Sequence, residues 1–255
     1  MPDDLSLHPF DERLVRDFVA MVMGDGSALV GLSDPAWSLR IQTISRDGLS
    51  RALTGDETGA NAVTFGFAQA VATLHPTFVL PGTTFTPWER RIDRGLGMLL
   101  RPPARLFGDA GLPTAAARTM PIRLDIGMSR MGGAYIPARL VPELAQLLDQ
   151  KRDRLLRRLA AAELDAVTLL GQLITATTYA VDHRLAMLEA SGVVTPGAPE
   201  GDPPGARVFL PDRCSLEPVL RRQLEDAARP PKSPGLATRL LHRRQLRRTG
   251  PAPEQ

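Results

Sequence analysis

Residues 122–135 hold the densest group of chemistry-bearing side chains in this sequence of 255 residues. Ile122, Leu124, Ile126 and Met128 alternate with Arg123, Asp125 and Gly127, which is the period of a strand. Side chains two residues apart share a face, so Arg123 and Asp125 project together. A turn over 129–133 carries Ser129, Arg130, Gly132 and Gly133, and Ala134, Tyr135 and Ile136 form the returning strand. A guanidinium, a carboxylate and a phenol around two glycines suit a small polar ligand, because glycine lets backbone N–H groups come close. The same pattern also suits an exposed strand face with one ion pair, which is its commoner use. Arg123, Asp125, Arg130 and Tyr135 are the candidate ligand-binding residues, and no residue is assigned a catalytic role.

The other reactive types are scattered. His8, His75, His183 and His242 show no metal-ligand spacing. His183 follows Asp182 and lies one helical turn after Tyr179, a position open to a general base but more often that of a surface histidine. Cys214 is the single cysteine, so the chain can close no intramolecular disulfide and build no cysteine zinc site. The nucleophile elbow, the phosphate loop and the dinucleotide fingerprint are all missing. No cofactor and no metal are expected, and the reading leans away from an enzyme.

Charge is unevenly placed. Residues 229–255 carry seven basic side chains, among them Arg239, Arg243, Arg244, Arg247 and Arg248, against Glu254. The rest of the chain has 24 basic and 27 acidic residues, so the net charge of +3 belongs to the tail. These five arginines are the candidate polyanion-binding residues, facing nucleic acid or an anionic surface without base specificity. A second basic run, Lys151, Arg152, Arg154, Arg157 and Arg158, is expected to be the solvated face of an amphipathic helix.

These side chains must be positioned mainly by helices. Residues 1–10 read as an extended lead. Apolar residues at three- and four-residue spacing then predict a helix from Asp11 to Met23. A second helix is capped by Ser33 and ends before Gly48, with a short helix at 49–53, and a third runs from Glu57 to Leu74. Pro87 is placed to open a helix through Leu100, and 77–80 and 208–210 are candidate strands. The strongest stripe runs over 141–188. As one helix it would be ~70 Å long at ~1.5 Å per residue, against a radius of gyration of ~18 Å for a compact chain of this length. A break at 161–165, with Asp165 capping, turns it into an antiparallel hairpin. Ser215 is read as capping a short helix to Ala228.

The expectation is therefore a mainly α (α+β) fold: a multi-helix domain with a long amphipathic helical hairpin, a small antiparallel β-hairpin and a disordered basic C-terminal tail. Its parts are a globular domain over 1–194, a Pro/Gly-rich linker with a short strand and helix over 195–228, and the tail over 229–255. The N-terminus reads Met1-Pro2-Asp3-Asp4 with no basic or apolar leader, and 164–181 holds Asp165, Gln172 and several threonines. Both point to a cytoplasmic chain without a membrane span. The function that fits best is a non-enzymatic interaction or structural protein. An unknown protein partner, homo-oligomerisation through the 141–188 helices and weak polyanion contact through the tail are its expected associations. The alternative functions are an enzyme or small-molecule binder with its pocket beside the 123–135 hairpin, and a polyanion binder acting through the tail.

Overall fold

At the centre of the molecule is a five-stranded sheet whose first strand, β1, is Leu5–Phe10, six residues buried without exception. The computed structural model describes residues 5–25, 32, 34–80, 92–120, 131–194, 203–210 and 215–228. After β1 come helices α1 (Arg13–Met23), α2 (Pro35–Ala52) and α3 (Glu57–Leu74), then strand β2 (Thr77–Leu80). Three short helices follow: α4 (Arg94–Leu99), α5 (Pro103–Asp109) and α6 (Thr114–Arg118). Strand β3 (Met131–Ile136) leads into α7 (Val141–Gln150), α8 (Arg152–Ala161) and α9 (Ala166–His183). Strands β4 (Ala186–Ser191) and β5 (Val208–Phe209) and helix α10 (Glu217–Ala228) complete the described elements. The fold is mainly α with a small mixed sheet, in agreement with the periodicity of the sequence.

The strand order is β3-β4-β1-β2-β5. β1 pairs antiparallel with β2 and β4, β3 pairs antiparallel with β4, and β5 lies parallel to β2. Opposed residues of an antiparallel pair share a face. Leu188, Ala190, Val79 and Phe10 turn to one side, where α1, α2, α3, α5 and α6 supply Phe18, Ile41, Phe67, Phe107 and Ala116. Leu5, Leu7, Phe78, Leu80 and Met187 turn to the other, against Leu96, Leu144, Leu155, Leu170, Leu173 and Leu220 of α4 and α7–α10. Two apolar cores with one sheet between them make a three-layer arrangement.

Of the extended lead expected over residues 1–10, Leu5–Phe10 is an interior strand of the sheet. Pro9 is tolerated because it lies beyond the last β1–β2 pair, Leu7 with Phe78. The cap of α2 is Asp34, whose carboxylate accepts from Ala36 N at 2.9 Å and Trp37 N at 3.1 Å; Ser33 lies outside the described residues. Gly48 does not end α2, which runs on to Ala52. Its missing side chain serves the α2–α3 crossing. A Cβ on Gly59 would stand 2.5 Å from both Ala52 N and Gly48 O, and one on Gly48 2.8 Å from Gly59 O. The helix expected from Pro87 is described only from Arg94, where extended Asp93 caps it through Gly95 N.

The helical hairpin over 141–183 is present. Glu163 adopts a left-handed conformation (φ 59°), and Asp165 caps α9 by accepting from Thr168 N at 3.1 Å. A second break, at Lys151, separates α7 from α8. The apolar stripe does not stay helical to Leu188. Arg184 turns left-handed (φ 55°) and closes α9, after which 186–191 is a strand buried on both faces. A short apolar run reads alike as helix or buried strand, and only pairing with β1 and β3 decides it. The stripe that would serve homo-oligomerisation is covered within the chain: Val141, Leu144, Leu155, Leu159, Leu170 and Leu173 are fully buried.

Met131, Gly132 and Gly133, expected in a turn, are the first half of β3. The described partner of β3 is β4. The companion strand expected at 122–128 and the tail at 229–255 lie outside the described residues. No described helix is long and apolar enough to cross a membrane.

Candidate functional site

Of the candidate ligand-binding residues, the structure describes Tyr135; Arg123, Asp125 and Arg130 lie outside the described residues. Tyr135 is 7% exposed and packs its ring 6.4 Å from that of Phe10. Its backbone forms a two-way bridge with Arg101 (N to O 3.0 Å, O from N 2.8 Å). Burial pushes its phenol above the usual value, Glu12 and Asp109 adding to this while Arg105 and Arg101 oppose it. Glu12 and Asp109 also line a groove between α1 and α5, with a cavity volume of about 370 Å³, together with Arg16, Asp17 and Leu106 among others. At Gly132 the sheet meets α3: Gly132 N donates to Thr64 Oγ1 at 3.2 Å, and a Cβ there would meet Thr64 at 2.8 Å.

The basic run at 151–158 is only partly a solvated face. Lys151 Nζ bonds Asp93 at 2.9 Å, and Arg154 stands 3.9 Å from the same carboxylate, whose side chain is 3% exposed. Arg158 donates to Ile92 O at 2.6 Å, and Arg152 pairs with Asp149 at 2.7 Å. Burial opposes ionisation of Asp93, but the Lys151 bond, Gly95 N–H and Arg154 outweigh it and hold its pKa below the usual value. Lys151, Arg154 and Arg158 fasten the start of α4 to the α7–α8 junction and α8. The tail candidates Arg239, Arg243, Arg244, Arg247 and Arg248 lie outside the described residues.

Two histidines found scattered in the sequence meet on one tyrosine. Helix α3 ends at Leu74 because Pro76 forces His75 into an extended conformation. This sets the His75 ring beside the last turns of α9, where its Nδ1 is 3.4 Å from the Tyr179 hydroxyl. From within α9, His183 stacks on the same tyrosine with ring centroids 4.1 Å apart, and its Nδ1 donates to Tyr179 O at 2.8 Å. Phe78 of β2 lies 6.0 Å from Tyr179 and stacks at 5.1 Å on Phe209 of β5. Phe209 remains 42% exposed, and its carbonyl accepts from Gln172 Nε2 of α9 at 3.0 Å. Arg207, two residues before Phe209, is exposed. Burial lowers the pKa of His75, His183 and Arg207 lower it further, and Asp11 works against them.

The spacing of Tyr179 and His183 one turn apart signals their contact. His75, Phe78, Arg207 and Phe209 join from separate segments and carry no local signal of it. This corner offers stacked rings, two imidazoles and a guanidinium on one surface, which is recognition chemistry. Among the described residues no group of three or more His, Cys, Asp or Glu side chains could hold a metal ion.

A third histidine, His8, is fully enclosed between β1 and β2. Its Nε2 bonds Ser6 Oγ at 2.7 Å and its Nδ1 lies 3.2 Å from Thr77 Oγ1. Burial lowers its pKa to about 3, so it is a neutral core group at ordinary pH. Comparison of the chain with protein-family models, curated proteins and solved structures finds no match.

Proposed function

We propose that this is a cytoplasmic interaction protein, working by binding rather than catalysis, whose partner docks on the corner formed by the end of α9, the α3–β2 junction and β5. The observation that carries the reading is Phe209: a large apolar ring 42% exposed on a two-residue edge strand, held in place by its stack on Phe78. A ring already fixed by its neighbours loses little entropy when a partner covers it. Aromatic and arginine side chains dominate binding hot spots, and Arg207 lies two residues away on the same strand approach. The partner that fits is a protein segment with an apolar side chain for Phe209 and a carboxylate for Arg207.

A photo-cross-linking residue at position 209 tests this, with position 39 as the control, since Leu39 is 62% exposed on the opposite layer. A discrete adduct at 209, lost on Arg207→Glu and missing at 39, is the expected result. Equal labelling from both positions overturns it.

A second reading follows from the contacts of Lys151, Arg154 and Arg158 with the segment at Ile92 and Asp93, which engage part of that basic run although Arg154 and Arg158 remain exposed. With those cations engaged, polyanion contact falls to Arg239, Arg243, Arg244, Arg247 and Arg248. Full-length protein is expected to bind anionic vesicles or duplex DNA at low salt, and a chain ending at Ala228 is not. Equal binding by the two returns the contact to 151–158.

A further inference from the structure

We propose that the corner at Tyr179 is an acid-sensitive latch: His75 closes on the tyrosine while neutral and is expelled to solvent when it takes up a proton. The two imidazoles on Tyr179 are not equivalent. His183 is exposed, lies in the last turn of α9 and stacks over the tyrosine face at 4.1 Å. A positive charge is welcome there, at a helix C-terminus and over an aromatic ring. His75 meets the same ring edge-on, 6.4 Å between centroids, from a half-buried position.

The charges facing His75 come from three elements. From α9 it faces His183, from the approach to β5 it faces Arg207, and from the turn after β1 it faces Asp11. Asp11 is the one acid among these, and its carboxylate is already clamped by Arg13, with Nε at 3.0 and 3.1 Å and the terminal nitrogen at 2.6 Å. A protonated His75 therefore meets two cations, one neutralised carboxylate and partial loss of water. Outward rotation relieves all three and breaks the contact with the Tyr179 hydroxyl. A protonated His75 therefore leaves, while the stacked and exposed His183 keeps its place on the ring. The α3–β2 junction is then untied from α9, beside the surface that carries Phe209. The latch rests on the geometry of the corner and stands whether or not a partner docks there.

Imidazole and tyrosine ring resonances of the full chain, followed by NMR from pH 8 to pH ~4.5, test it at the His reference of ~6.5. The His75 midpoint is expected below that reference. His183→Gln and Arg207→Gln should each move it up by several tenths of a pH unit, and Asp11→Asn should move it down. The Tyr179 ring signals should follow the His75 transition, and in His75→Gln that step should vanish. All four side chains are at least partly exposed, so the variants retain the core. A His75 midpoint unmoved by His183→Gln and Arg207→Gln, or Tyr179 signals that follow His183 alone, overturns the latch.

Discussion

Acid should weaken this fold through His8, and the size of the effect follows from its surroundings. The ring lies in the interior strand β1, 1% exposed, between Ser6 and Thr77. In the unfolded chain it takes up a proton near 6.5; in the folded chain burial delays this to about 3. Between those values the unfolded state binds more protons, so stability falls as pH falls. The gap is worth about 5 kcal/mol in full at roughly 1.4 kcal/mol per pH unit, and about 3 kcal/mol of it is gone by pH 4. That is a large part of the ~5–15 kcal/mol that holds a typical domain. Urea unfolding of the wild type and of His8→Gln, repeated in half-unit steps from pH 7.5 to 4, isolates it. The variant starts less stable, because Ser6 and Thr77 lose their partner's geometry, but its stability should decline less steeply, by about 3 kcal/mol over that range. Carboxylates titrate in both chains and cancel in the difference. Parallel curves for the two proteins would refute the reasoning.

Other substitutions probe the elements that hold the site. Leu170→Ala or Leu173→Ala should cost about 2–5 kcal/mol in chemical denaturation, since both leucines are fully buried on the α9 side of the sheet. Gly59→Ala should destabilise by about 1–3 kcal/mol or more, because its Cβ would press on backbone atoms of α2 rather than on a yielding side chain. A neutral result would mean that α2 and α3 separate without penalty. Lys151→Ala leaves the Asp93 carboxylate short of its nearest cation, and a loss of about 1–3 kcal/mol is expected, little changed by salt. Full suppression of that loss at high salt would show the pair to be an ordinary surface contact.

Much of the fold could be read from sequence for local reasons. The stripes of α1, α3 and α7–α9 follow the helical period, Pro76 stops α3 before the extended His75, and Asp165 turns the chain into the helical hairpin. Each of these depends on residues within a few positions of one another. Tertiary structure decided the rest. Leu5–Phe10 and Ala186–Ser191 are strands because each finds the other from far along the chain, Leu5 pairing with Ser191 and Phe10 with Ala186. Leu5 and Leu7 alternate with Ser6 and His8 over only four residues, and 186–191 shows no clean alternation; both faces of each strand are buried, so no sustained local period marks them. That Thr64 of α3 reaches the sheet at Gly132 has no mark in the local sequence. Lys151 looked solvated and is bound to Asp93. At the candidate site, the i to i+4 pair of Tyr179 and His183 was open to reading, while His75 reaches them from 104 residues away and Phe209 from another strand. A local pattern reports which face of an element is apolar; which distant side chain will meet it depends on how the layers close, and that information exists only in the folded chain.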